Sequence, residues 1–431
     1  MQKNTGADPD FGSNDEPMAH TVQATSPEPP APFDLSDPAS FVAGVPHAWF
    51  RWLREHEPLH WQPETPLPGA LPGPGYWALT RHADVSFVSK NATLFSSGLA
   101  TCVLSDLPPK DRANMQQQLI NMDPPRHTGL RNLMNPHFKP RAVRRSEAHM
   151  RRRIGQTLDR LEGLERCEFV ESVSAPISLG GLTHLLGVPD KHARRFYRWT
   201  NNLIGSSDPN VSSQFWGRLA VLEILLYAGR ARRKRERQPA ADIFSSLVHG
   251  RVGDQKLSKL QLGMNYFLLI VAGNETTRNA ISGGLQALCD HPDQLERLLA
   301  EPELLPQAIE EMLRWVTPVM QFRRTATRDV EVGGEVVRAG QKLVLYYGAA
   351  NRDPAVFHDP ETFDITRSPN PHLAFGTGTH FCAGSHMAGL QMRVVFEELL
   401  RRFPRIGLEG TPERLQSNFI NGIKSMQVRL R

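Results

Sequence analysis

The sequence predicts a mainly α-helical fold with a minor β region, and three observations carry that expectation. Apolar residues recur with helical spacing from about residue 125 to 316, punctuated by Pro- and Gly-containing breaks at KPR, GVPD, SSDPN and HGRVGD. Strand-like alternation is confined to short pieces near residue 75 and beyond residue 328. A further long apolar helix follows Cys382, so helical and strand segments interleave instead of forming separate blocks.

In chain order, residues 1–38 are rich in Pro, Asp, Ser and Asn without apolar periodicity, and are expected to form a disordered leader. Residues 39–431 are expected to form one large domain. It opens with an amphipathic helix over 46–58, stopped by Pro58, and a strand followed by a short helix over 75–89. The irregular stretch 96–119 is long enough that a functional role is expected of it. Gly333-Gly334 separates two alternating runs within 328–349 and predicts a hairpin, and Asn421-Gly422 predicts another near the C-terminus.

Composition excludes several functions. Fifty basic and 45 acidic residues leave a net charge of +5, too mild to imply nucleic acid. The basic run 229–238 reads as the solvated end of a long helix. The most apolar stretches, 219–229 and 264–273, fall short of the roughly 20 residues a membrane helix needs, so no membrane insertion is expected. No signal peptide is seen. Four cysteines lie far apart with no CxxC pair, which suits a cytoplasmic location and excludes a zinc module.

Cys382 is the informative one. It stands behind a glycine-rich loop and directly before a helix, whose unpaired N–H groups favour a thiolate. Gly376, Gly378 and Gly384 let the backbone turn tightly against something flat. A single thiolate with a planar partner points to haem, whose iron accepts one protein ligand on its proximal face. The bland alternative is a buried, inert cysteine. Phe375, Gly378, Cys382 and Gly384, however, match FxxGxxxCxG, and the loop resembles the haem loop of the cytochrome P-450 family.

Three further segments extend the resemblance across about residues 40–430. In VAGNETTRN (271–279), hydroxyls compete for helix carbonyls and Gly273 invites a kink. Glu275 beside Thr276 forms an acid–alcohol pair suited to proton delivery. The stretch is similar to the family's (A/G)Gx(D/E)T(T/S) motif, which implies that Ala272 and Gly273 lie against the cofactor. Glu311 and Arg314 stand at i,i+3 and can pair; in the family such a pair is buried, and Arg367 is the candidate third member. By the same resemblance His127, Arg131, Arg324 and His380 are the partners of the two haem propionates.

The resemblance implies haem b as cofactor and a monooxygenase inserting one atom of O2 into a hydrophobic small molecule of terpenoid, steroid or branched-alkyl type. Pocket candidates are Val103, Leu104, Leu203, Phe215, Leu268, Val271, Val319, Met320, Phe419 and Ile420. With no flavin or nicotinamide domain fused, electrons are expected from a separate iron–sulfur ferredoxin with its NAD(P)H-dependent reductase, docking near the basic segment 138–153. A monomer is expected. The rival readings are a peroxygenase using hydrogen peroxide and a non-catalytic haem protein.

Overall fold

The computed structural model describes residues 30–31 and 33–430. The expected leader therefore lies outside the described residues as far as residue 29. Its last residues are not leader. Leu35 is fully buried and Phe33 meets Phe41 edge-on at 5.1 Å, so apolar packing starts before residue 38.

Eight helices position the site: α1 (Arg126–Met134), α2 (Pro140–Leu158), α3 (Ala175–Leu185), α4 (Ala193–Ile204), α5 (Gln214–Arg237), α6 (Lys259–Asp290), α7 (Leu305–Val316) and α8 (Ser385–Arg402). The 32-residue α6 starts at a capping box: Ser258 accepts from the Gln261 N–H at 3.1 Å, and Gln261 reaches back to the Ser258 N–H at 2.8 Å. It ends at His291, ahead of Pro292, where a proline disfavours further helix.

Two cores meet on α6. Leu262, Tyr266, Leu269 and Ile270 pack with Leu130 of α1, Leu182 of α3, Trp199 of α4 and Ile224 of α5. Further along, Ala280, Ile281, Leu285 and Leu288 pack with Ile154 of α2, Met312 of α7 and Phe396 of α8. Residues 271–279 belong to neither cluster. The polar middle of the helix thus falls at the junction between two apolar masses.

The β region centres on a five-stranded sheet built from β1 (Leu59–Gln62), β2 (Tyr76–Leu79), β3 (Phe95–Ser96), β4 (Gln321–Ala326) and β5 (Lys342–Tyr346), in the order β1-β2-β5-β4-β3. β5 runs parallel to β2 and antiparallel to β4, and all five of its residues are buried. The Gly333-Gly334 hairpin forms, with φ of 60° and 91° that glycine adopts without strain. Its second arm is only Glu335–Val337, because the apolar run beyond it is claimed by the sheet.

The C-terminal hairpin does not form around Asn421-Gly422. Ile423–Ser425 pairs with Glu413–Arg414, while Gln427–Arg429 pairs with Arg166–Glu168 and Gly407–Leu408. Gly422 lies outside the left-handed region a tight hairpin turn requires, and Asn421 is spent on the carbonyls of Val316 at 2.6 Å and Pro318 at 3.0 Å. The stretch 96–119 is irregular apart from the helix Pro109–Met115. Asp106 pins it to the sheet through Arg323 at 2.6 Å and Lys342 at 2.8 Å. Among the described residues no helix is long and apolar enough to cross a membrane.

Candidate functional site

Cys382 sits three residues before the start of α8, at the end of a loop closed by its own N–H donating to the Phe375 carbonyl at 2.9 Å. Gly376 and Gly378 have φ of 66° and 68°. A Cβ at Gly378 would stand 2.5 Å from the Ser89 carbonyl oxygen, so no larger residue fits there. Burial pushes the Cys382 thiol up; the N–H groups of Gly384 and Ser385 and the Arg131 guanidinium oppose that push. The sulfur therefore lies where an added cation would complete its deprotonation. Among the described residues no three His, Cys, Asp or Glu side chains converge as a metal site.

Beside this loop four cationic or donor side chains gather from three separate segments. The rings of His127 on α1 and His380 in the loop lie 4.5 Å apart. Neither ring nitrogen of His127, nor Nε2 of His380, has a hydrogen-bond partner, although all are buried. Burial depresses His127 to about 4, with Arg131 and Arg324 adding to the effect. His380 falls to about 2, by burial first and then through Arg324, His127 and Arg131. Arg131 donates to the Phe381 carbonyl and to Asn135, both at 2.8 Å. Arg324 on β4 is buried, with one nitrogen on the Arg323 carbonyl at 2.8 Å.

Buried donors without acceptors are costly, and two guanidiniums beside them raise the cost for any cation. Both costs vanish if carboxylates occupy the place where these groups meet. Two propionates beside a single thiolate match this donor set, so the residues present fit haem b.

On α6, Ala272 is exposed in the middle of the helix and Thr276 is half-buried. The Thr276 hydroxyl donates to the Ala272 carbonyl at 2.8 Å. α6 is helical through Gly273, where a Cβ would stand 3.0 Å from Leu182 Cδ1 of α3. Glu275 and Thr276 do not face each other. Glu275 is 1% exposed and turned toward Thr200 of α4, and it forms an ion pair with Arg278 one turn along α6.

Around that pair runs a closed polar chain. Asn274 accepts from Ser178 at 2.7 Å and donates to Thr200 at 2.7 Å and to Glu275 at 3.3 Å. Arg278 donates to Asn201 at 2.9 Å. Burial raises the Glu275 pKa above the usual carboxylate range, against the pull of Arg278 and Thr200. Ser178, Thr200, Asn201, Asn274 and Arg278 were not legible as site residues. Asn274 stood in the variable place of the motif, and its partners lie 74 and 96 residues away.

Glu311, Arg314 and Arg367 meet in one buried cluster. Arg314 grips Glu311 through two bonds of 2.7 Å, and Arg367 reaches Glu311 at 3.2 Å. Arg314 also donates to the carbonyls of Asn351, Pro360 and Thr362. Asn351 in turn accepts from the Leu373 N–H at 2.6 Å, which ties the cluster to the start of the cysteine loop.

The pocket candidates divide. Leu268, Val271, Leu203, Val103, Val319 and Phe419 are partly buried, and Val319 bridges to Ile420. Phe419 meets Phe322 edge-on at 5.5 Å next to that bridge. Leu104 and Met320 are corrections: both are buried in the N-terminal core with Leu35, Phe41 and Tyr346. Phe215 is another, since it is 67% exposed at the start of α5.

Comparison with known proteins agrees with this geometry. The cytochrome P450 family model matches residues 228–428. The chain is 37% identical to a steroid C26-monooxygenase of Rhodococcus jostii, over 95% of this chain and 87% of that protein. It is 38% identical to a methyl-branched lipid omega-hydroxylase of Mycobacterium tuberculosis, over 88% of this chain and 90% of that one. A Mycobacterium marinum cytochrome P450 solved with pseudoionone superposes with a TM-score of 0.86 at 36% identity, covering 93% of this chain and 99% of that one.

Proposed function

The chain belongs to the cytochrome P450 family, a haem-thiolate monooxygenase with haem b as cofactor, and on that premise we propose that Cys382 supplies the thiolate and that a terminal methyl of a branched alkyl chain, on a steroid or a methyl-branched lipid, is hydroxylated. The observation that carries the site assignment is the meeting of His127, Arg131, Arg324 and His380 beside the Cys382 loop with ring nitrogens left unpartnered. The substrate assignment rests on the activities of the two relatives and on the apolar wall of Leu268, Val271, Val319 and Phe419.

Bound haem b supplies the reductive activation of dioxygen and the transfer of one oxygen atom. The chain's own work surrounds that chemistry. Gly384 and Ser385 point N–H groups at the Cys382 sulfur and hold its negative charge. His127 and His380 would donate to the cofactor's carboxylates, and Arg131 and Arg324 would balance their charge. Glu275, whose burial favours proton uptake once its carboxyl leaves Arg278, turns toward the Thr276 hydroxyl and delivers a proton there. Asn274 and Arg278 hold that carboxyl on the far side of the helix until it turns. The apolar wall excludes water and presents the carbon chain end-on.

Glu275→Gln keeps the size and most hydrogen bonds of the acid but removes its proton. Product formation should fall about a hundredfold or more while substrate binding stays. NAD(P)H consumption without product rises, and an unchanged ratio of product to NAD(P)H would remove Glu275 from proton delivery.

Electrons come, in this reading, from a separate iron–sulfur ferredoxin on the exposed arginines of α2. Arg144→Glu/Arg145→Glu should raise the KM for ferredoxin about tenfold with kcat little changed. The whole reading is tested by incubating the enzyme with ferredoxin, reductase and NAD(P)H and three substrates: a steroid with a branched side chain, a methyl-branched fatty acid and a terpenoid ketone. A terminal alcohol from one of the first two is expected. Oxidation of the ketone alone overturns the substrate class, and equal turnover on hydrogen peroxide without ferredoxin overturns the electron route.

A further inference from the structure

Helix α5 buries one face and leaves the opposite one exposed among the described residues. Gly217, Ala220, Ile224 and Ala228 point inward. At 100° per residue, Phe215, Arg218, Leu222, Leu226, Arg230, Arg233 and Arg237 fall on one outward arc of about 120°. All seven are exposed, Phe215 at 67% and Leu222 and Leu226 at 54% each. Trp216, 51% exposed, flanks Phe215, and the loop carrying the exposed Leu71 is tied to the same corner by Gln214 donating to the Pro68 carbonyl at 2.5 Å.

The face is sorted along its length. From Phe215 to Leu226 it is apolar apart from Arg218, and from Arg230 to Arg237 it carries three arginines with one acid, Glu236, at the edge of the arc. The two acids of the helix are turned to other duties: Glu223 accepts from Trp199 and Arg198, and Glu236 pairs with Arg232 at 2.5 Å. The basic run 229–238 is therefore more than a solvated helix end, since it continues an exposed apolar stripe on the same side.

We propose that this face of α5 docks the enzyme on an anionic phospholipid surface. Charge complementarity selects the occupant. A second copy of the chain would bring the same face, whose four arginines outnumber its single acid, Glu236, so that like charge would meet like. A protein partner needs discrete acids matched to discrete cations. A bilayer needs only the sorting seen here, an apolar end to sink below the headgroups and long cationic side chains to meet the phosphates. Trp and Phe at the apolar end suit the headgroup boundary. The helix lies on the bilayer and does not span it, in keeping with the absence of a spanning helix among the described residues.

The test is co-sedimentation of the haem-loaded enzyme with vesicles of phosphatidylglycerol and phosphatidylcholine, and of phosphatidylcholine alone. Binding is expected to the first only, and to weaken with salt. Arg230→Ser/Arg233→Ser/Arg237→Ser should lower the partition coefficient about a hundredfold, and Leu222→Ser/Leu226→Ser about tenfold. The control Arg141→Ser/Arg144→Ser/Arg145→Ser removes as many charges from α2 and should leave vesicle binding in place. An unchanged haem spectrum certifies the fold of each variant. The proposal is overturned if the wild type fails to bind, if the leucine variant binds like the wild type, or if the α2 control loses as much, which would leave only net charge. It is equally overturned if the enzyme is a dimer that the leucine variant dissociates, or if an acidic protein abolishes vesicle-independent retention only in the α5 variants.

Discussion

Cys382→Ala yields a protein whose reduced, carbon-monoxide-bound form lacks the red-shifted Soret band of thiolate-ligated haem, and whose monooxygenase activity is lost entirely. The expectation rests on where the sulfur sits. It is held at a helix start by a loop that only glycine at 378 permits, with two N–H groups and Arg131 favouring its anion. The other three cysteines lack that setting. Burial pushes Cys102 and Cys289 up to about 12 and Cys167 to about 11. Cys289→Ala therefore serves as control, with band and activity retained. Survival of the band in Cys382→Ala would place the iron on another ligand.

Arg314→Ala prevents accumulation of folded, haem-loaded protein. It leaves Glu311 fully buried with Arg367 and Asn370, at 3.2 and 3.1 Å, as its remaining side-chain partners. It also strips the carbonyls of Asn351, Pro360 and Thr362 of a shared donor. Breaking one member out of such a cluster costs about 3–5 kcal/mol, against a total stability of about 5–15 kcal/mol. Arg314→Lys keeps the charge but not the two-pronged grip on Glu311, so it should lie between alanine and wild type. Haem content per chain and thermal unfolding read the effect. Unchanged haem content and Tm in Arg314→Ala would show that the cluster is dispensable.

How far each feature was legible follows from how local its signal is. The cysteine loop and the Glu311–Arg314 spacing are each contained within a few residues of chain, so their chemistry can be read from the order of side chains. The four propionate candidates come from three segments, and composition gives no reason to join them; the resemblance named them, and the structure gathers them. The pocket list fared less well because an apolar residue carries no mark of what it faces. Leu104 and Met320 read like Val103 and Val319 beside them, yet point into the N-terminal core. Phe215 read as pocket wall and is instead part of an exposed stripe.

By itself the sequence determined the mainly helical architecture, the single thiolate and the acid–alcohol dipeptide, since periodicity, capping and glycine-dependent turns act over one or two turns of chain. Only the tertiary structure decided where Glu275 points. Its direction is set by Ser178 and Thr200, contributed by two other helices, and by the low-dielectric junction of two cores that makes every unmet hydrogen bond there costly. The same holds for the exposed face of α5. Its residues alternate in a way any amphipathic helix allows, and which side meets the core is a matter of what else the chain brings to it.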